Sequence, residues 1–227
     1  MTEFETKGFV EPSPSRSTRK INWRSRASCR GTLVLRLNGR QKIVVYESLL
    51  ELMCILLISS RGDVVDVWDQ PAPVPFFLPD GSLHEHTFDY QVTLADERCY
   101  AIAVKPIDHV EKYDFDVRLA YVRAALPGHF ADDVILMSEA DFTRAQALNA
   151  QRYHEFSKKT DDEADEDIIR AAKHQAAPTT LANLIAASGL GRRGFRAAFR
   201  AVVEGRLKAL TIGKIGLQTV VSVEVPA

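Results

Sequence analysis

The sequence predicts an α/β fold in which a mixed β-sheet is flanked by helices, followed by a smaller helical domain that ends in a short β-wing. Three observations carry that expectation. Between residues 31 and 137, runs of period-two apolar alternation are interleaved with runs of helical periodicity, the pattern of a sheet with helices packed on it. A dense acidic block, Asp161 to Asp167, then breaks the composition as a solvated boundary would. Beyond it, two short helical runs straddle Gly189-Leu190-Gly191 and precede two β-prone runs.

Residues 1–30 mix Pro, Ser and Arg with almost no apolar periodicity and read as a basic flexible arm. From Gly31 to Val45, Leu33, Leu35, Ile43 and Val45 alternate with polar residues around Asn38-Gly39, the signature of a hairpin. A very apolar helix follows from Tyr46 to Ser60. Extended runs come next at Val64–Trp68 and Val74–Leu78, then the turn Pro79-Asp80-Gly81, then strands over His86–Thr93 and Cys99–Lys105. The remaining elements of this unit are a helix over Phe115–Leu126, a strand over Val134–Met137 and a helix from Glu139, opened by the capping pattern Ser138-x-x-Asp141. The expected division is a unit over 31–157, an acidic linker over 158–170 and a second domain over 171–227. In that domain Thr179 or Thr180 caps a helix through Ala187, and a second helix spans Arg192–Glu204. Two β-prone runs, Leu207–Ile212 and Leu217–Val223, flank Gly213-Lys214-Ile215-Gly216 as the wing of a winged helix would.

At 227 residues and 46% apolar content the chain is long enough for two modest domains. Cys29, Cys54 and Cys99 are odd in number and widely spaced, which argues against a disulfide framework or a thiolate zinc site. The longest apolar run, Leu49 to Ser60, is too short to span a bilayer. The expected location is therefore the cytoplasm, with no membrane partner. The net charge of −1 conceals a division: residues 1–45 carry ten Lys/Arg against three Glu, residues 171–227 carry eight against two, and the middle holds −14. Basic ends suit phosphate backbones, and an acidic centre approaching DNA needs a cation to reduce the repulsion.

Chemistry-bearing residues sit in that acidic centre. Alternation along Phe88–Val92 sets Asp89 opposite the apolar Phe88, Tyr90 and Val92, and alternation along Tyr100–Lys105 sets Lys105 with Ala101 and Ala103. If the two strands pair, Asp89 and Lys105 share one side of the sheet. Glu47 and Glu51, four residues apart, form one stripe of the preceding helix and could close over the same spot. An Asp on one strand, a Lys at the end of the next and a helix Glu is the layout of PD-(D/E)-x-K nucleases, where carboxylates hold Mg²⁺ or Mn²⁺ and the Lys positions or deprotonates the attacking water. His84 and His86 flank Glu85 without further ligands in view and read as polar residues at the start of a strand.

Three segments in order resemble the TnsA family, the endonuclease subunits of heteromeric transposases: Ser48-Leu49-Leu50-Glu51, Thr87-Phe88-Asp89-Tyr90 and Tyr100-Ala101-Ile102-Ala103-Val104-Lys105-Pro106. Asp69-Gln70-Pro71 matches a further family segment, and the resemblance spans residues 45–155, ending on Asn149 to Tyr153. It implies a restriction-endonuclease-like sheet and three catalytic residues, Glu51, Asp89 and Lys105. Glu47 is the alternative to Glu51. The metal would rest on Glu51, Asp89 and the backbone carbonyl of Val104. Implied too is cleavage of the 5′ strands at transposon ends, with a strand-transfer transposase and an AAA+ ATPase regulator as partners. Ala103 departs from the family, which usually carries Glu or Gln two residues before the lysine. A stand-alone phage or defence nuclease and a catalytically inactive DNA-binding or scaffolding protein of the same fold are the alternatives.

In the second domain, Arg192, Arg196 and Arg200 recur every four residues opposite Phe195, Ala198, Phe199 and Val202. With Arg193 and Lys214 they are the expected contacts to DNA or to a protein partner. An ordinary amphipathic helix with solvated Arg residues gives the same pattern.

Overall fold

The computed structural model describes residues 10–19, 29–175 and 177–222. Strands β1 (Gly31–Leu37) and β2 (Arg40–Tyr46) form the expected hairpin, closed by Asn38 and Gly39 at φ 45° and 75°, a left-handed pair that suits a two-residue turn. Helix α1 (Leu49–Ser59) follows, capped by Ser48. The central sheet is built from β3 (Val64–Asp69), β6 (Tyr90–Leu94), β7 (Cys99–Val104) and β8 (Asp133–Met137), in the order β3-β6-β7-β8; a two-stranded ribbon, β4 (Val74–Phe77) with β5 (Leu83–His86), stands apart from it. The β3–β6 and β6–β7 pairs are antiparallel and β7–β8 is parallel. A parallel neighbour needs a crossover. That crossover contains α2 (Ile107–Lys112), which the apolar pattern did not mark, and α3 (Phe115–Ala124).

Strand β7 is buried on both faces, and its alternation sorts the core into two layers. Tyr100, Ile102 and Val104 join α1 and the first hairpin through Leu35, Val44, Ile55, Val67 and Tyr90. Ala101 and Ala103 join the opposite layer, with Val74, Phe76, Phe88, Phe115 and Leu119. The expected single strand over His86–Thr93 is split here. After His86 the chain leaves the ribbon, buries Phe88 in the second layer and enters the central sheet at Tyr90, whose ring belongs to the first layer. Asp89 sits at that switch, so its position comes from a change of sheet rather than from unbroken alternation.

Other expectations are corrected. Ser138-x-x-Asp141 makes a true capping box, but on a single 3-10 turn; the helix itself, α4 (Arg144–Ser157), has its own box from Thr143 and Gln146. The acidic stretch is no linker. Asp161 caps α5 (Asp162–Lys173), whose first-turn acids oppose the positive end of the helix dipole while Ala164, Ile168 and Ala172 are buried. Helix α5 opens a third core with α6 (Leu181–Ser188), α7 (Gly194–Val203) and a small antiparallel sheet in the order β10-β11-β9. Those strands are β9 (Thr179–Thr180), β10 (Lys208–Ala209) and β11 (Val220–Ser222). Tyr153 and Phe156 of α4 pack against this core, and Asn149 exchanges bonds with Gly213 O and Ile215 N. The two units therefore meet along α4. Among the described residues no helix is long and apolar enough to cross a membrane.

The described part of the expected flexible arm is pinned. Ser13 pairs with Gln41 and Ile43 through the backbone, and Ser15 Oγ donates to the buried Asp69 carboxylate at 2.5 Å. Residues 1–9 and 20–28 of that arm lie outside the described residues.

Candidate active site

Glu51 is fixed by the start of its helix. Ser48 Oγ accepts from Glu51 N at 3.1 Å and donates to Glu51 Oε1 at 3.0 Å, while the Glu47 N–H donates to Oε2 at 2.7 Å. This is a reciprocal cap that reaches one residue further back than the usual box. Each carboxylate oxygen keeps a second lone pair, so the side chain is held without being used up.

Asp89 is held from three sides. Its N–H donates to Ile102 O at 2.9 Å, its carbonyl accepts from Gln70 N at 2.9 Å, and its Oδ2 accepts from Val104 N at 2.6 Å. Gln70 adopts φ 42°, an uncommon conformation for a residue with a side chain, and is 3% exposed. Lys105 follows β7 directly. Its Nζ lies 2.9 Å from Val104 O and 3.5 Å from Asp89 Oδ2, and 5.6 Å from the centre of the Phe115 ring. The ammonium thus bridges two oxygens of the expected metal set.

Electrostatics fit a cation at this place. Burial, then the neighbouring Asp89 charge, pushes the Glu51 carboxyl above its ordinary pKa. Burial likewise raises Asp89, against the Lys105 charge and the Val104 N–H bond. Two carboxylates crowded out of water are stabilised in their charged form by a cation between them. The available donors are two carboxylates and the Val104 carbonyl; among the described residues no cluster of three or more His, Cys, Asp or Glu is placed to hold a metal. Mg²⁺ accepts such a set, because it binds through one or two carboxylates and keeps several waters. Glu47, the alternative to Glu51, precedes the Ser48 cap and so is not on α1 as the helical stripe expected; it pairs with Arg19 at 3.4 Å.

Ala103 does not open onto this group. Alternation sets it on the face of Lys105, but it is fully buried in the second core layer rather than open to the site. His86, passed over as a strand-start residue, sits close by. Its ring meets Phe88 edge-on at 4.6 Å and lies 5.8 Å from Phe115, and its Nε2 is buried without a hydrogen-bond partner among the described residues. Burial, and then the charges of Lys105 and Arg118, lower its pKa to about 4. Arg19 and the Ser-rich run before it were also missed; their only sequence signal is a polar alternation, Ser15-Arg16-Ser17-Thr18-Arg19, that looks like linker composition.

The five basic residues of the second domain do not act as one face. Arg200 is 2% exposed and is clamped by Asp165, at 2.5 Å, and by Phe156 O at 3.0 Å, so it is a core cation and not a contact residue. Arg193 is exposed but occupied by Asp161 and Glu163 at 2.6 and 2.7 Å. Arg196 lies over the Phe156 ring at 5.4 Å. Arg192, Arg193, Arg196 and the buried Arg200 nonetheless line, with Lys159 and Asp161, one hollow of about 630 Å³, while Lys214 is exposed apart from them in the loop between β10 and β11. A cleft of about 1000 Å³ between the first hairpin, α4 and α5 lies away from Glu51, Asp89 and Lys105. No protein-family model matches the chain, and no curated protein matches it in sequence.

Proposed function

We propose that this protein is a divalent-metal-dependent DNA endonuclease of restriction-endonuclease-like fold, with a C-terminal winged-helix domain, acting as a TnsA-like subunit on the 5′ strands of transposon ends. One observation carries the reading: the Lys105 ammonium lies between the Asp89 carboxylate and the Val104 carbonyl at the end of β7, and the capped Glu51 carboxyl feels the charges of both Asp89 and Lys105. The winged-helix assignment rests on the order α5-β9-α6-α7-β10-β11 with β11 central in its sheet. Partnership with a strand-transfer transposase and an AAA+ ATPase follows only from the resemblance.

A bound Mg²⁺ or Mn²⁺ would polarise the scissile phosphate and lower the pKa of a coordinated water. Glu51, Asp89 and Val104 O would hold it. Lys105 orients the attacking water and donates to a phosphoryl oxygen as negative charge develops there. Water oxygen bonds to phosphorus and gives up a proton to solvent as the P–O bond to the leaving strand end breaks, and the departing oxygen takes up a proton from solvent. Asp89 holds the register of the site through the Val104 N–H.

The test is nicking of supercoiled plasmid with Mg²⁺ or Mn²⁺, alongside Mn²⁺ titration calorimetry. Asp89→Ala and Glu51→Ala should lose Mn²⁺ binding and nicking, and Lys105→Ala should lose nicking while keeping Mn²⁺. Full activity in Asp89→Ala would remove the site. A second reading is favoured by Ala103, which leaves the position two residues before Lys105 without a polar group: a DNA-binding protein of this fold without chemistry. Wild-type protein that binds DNA but no Mn²⁺ would establish it.

A further inference from the structure

Residues 13–19 run as a strap along β2 and β3 towards the site. Ser13 is hydrogen-bonded to Gln41 and Ile43. Ser15 Oγ and Arg16 N donate to the buried Asp69 carboxylate, which also accepts from Val45 N. Arg16 pairs with Asp66 and lies 5.0 Å over the Trp68 ring, whose N–H donates to Arg16 O. Ser17 Oγ donates to Gln70 Oε1 at 2.9 Å, and Thr18 donates through both N and Oγ1 to Gln70 O at 3.1 Å. Gln70 in turn donates its N–H to Asp89 O, so one strained residue couples the strap to the central carboxylate. A surface peptide with no function beyond tethering does not need this many bonds to a buried Asp and Gln.

The strap delivers one charge. Arg19 stands beside Glu47, the residue whose N–H holds Glu51, and its side chain is 60% exposed while Glu47 is 13% exposed. With its guanidinium in water, a pair at 3.4 Å contributes little to stability, and the bonds of residues 13–18 hold the strap without it. A guanidinium has five N–H donors in a planar fork, and a single pairing with Glu47 leaves most of them for another anion. The Arg19 charge also acts on Asp89, opposing the effect of burial there. Lys105 approaches the carboxylates from β7 and Arg19 approaches from the strap.

We propose that the strap positions Arg19 as a phosphate-binding catalytic residue, its guanidinium taking a non-bridging oxygen of the DNA phosphate being cleaved. The inference rests on the nuclease reading for its reaction, but not for its binding contact. Arg19 would exchange Glu47 for the phosphate when DNA docks, and would stabilise the charge that grows on the equatorial oxygens.

Three variants of the full chain test this: Arg19→Ala, Arg19→Lys, and a strap-release variant combining Ser15→Ala with Thr18→Val. In single-turnover plasmid nicking, Arg19→Ala should fall 10- to 100-fold, Arg19→Lys should recover part of the loss, and Mn²⁺ affinity should stay within about twofold of wild type. Strap release should reproduce the fall, and adding Arg19→Ala to it should bring no further loss. In Ca²⁺, where binding is read by fluorescence anisotropy of a labelled duplex, Arg19→Ala should reduce the slope of log K against log salt by about 1. A slope unchanged from wild type, or nicking within twofold of wild type, overturns the proposal and leaves Arg19 as a surface partner of Glu47. If the wild type nicks nothing, the nuclease reading fails, while the salt slope still decides whether Arg19 holds a phosphate.

Discussion

Arg200→Ala should be the most damaging single change among the basic residues of the second domain, and the structure gives the size. Arg200 donates from Nε and Nη2 to the Asp165 carboxylate, at 2.5 to 3.2 Å, and from Nη1 to the Phe156 carbonyl. The pair is 3% and 14% exposed, so truncation strands the Asp165 carboxylate and the Phe156 carbonyl away from water and leaves a hollow between them. Breaking a buried pair from one side costs about 3–5 kcal/mol. Arg193→Ala, which breaks solvent-screened pairs with Asp161 and Glu163, should cost far less. Urea unfolding combined with hydrogen exchange of α5 and α7 amides separates the two cases, because both helices lie in the core that Arg200 ties together. The double variant Arg200→Met with Asp165→Leu should recover most of the loss, since apolar groups of similar volume replace both charges. A loss below about 1 kcal/mol in Arg200→Ala, or no recovery in the double variant, would refute the assignment of Arg200 to the core.

Three further outcomes are expected. Because His86 has a folded pKa of about 4 against an unfolded value near 6.5, the folded state binds fewer protons in that window; the neutral ring's stabilising contribution is complete above about pH 6.5 and is lost as pH falls towards 4, by up to about 3 kcal/mol. His86→Phe should flatten that part of the stability profile in urea unfolding, and an unchanged profile would mean that the ring is solvated. Ser48→Ala should cost about 1 kcal/mol of stability by removing the cap of α1, and should also weaken Mn²⁺ binding because Glu51 loses a donor; equal Mn²⁺ affinity would show that the cap does not organise the site. Ala103→Glu should lower the thermal midpoint by many degrees without gaining Mn²⁺ affinity, since the new carboxylate enters an apolar layer with Phe88 and Phe115, and tighter Mn²⁺ binding would refute this placement.

What could be read in the sequence depended on whether a signal was local. The Asn38-Gly39 hairpin, the Ser48-capped helix and the apolar runs of β3, β7 and β8 each carry their own turn or periodic pattern, and they form where that pattern puts them. The failures share a different cause. Phe88 and Tyr90 satisfy period-two alternation equally well within one strand, but the chain changes sheets between them, and only the positions of Val74, Phe76 and Phe115 reveal it. Seven acidic residues between 155 and 167 look like a solvated linker because charge dominates composition; Ala164, Ile168 and Ala172 are spaced to bury one stripe, and the acids become intelligible once Arg193, Arg200 and Arg206 are seen across from them. The strap is the same lesson for a segment without periodicity. Ser15, Ser17 and Thr18 resemble linker residues until the buried Asp69 and Gln70 appear as their acceptors, and those two sit far along the chain. At the site, the sequence could place Glu51 on its helix and Lys105 at the end of β7, but it put Asp89 inside a strand that the fold breaks there, and it could not weigh the bonds between the three. Lys105 bridging Asp89 and Val104 O, and Arg19 arriving from residues that look structureless, are properties of the folded chain, where long-range partners decide which polar residues are surface and which are site.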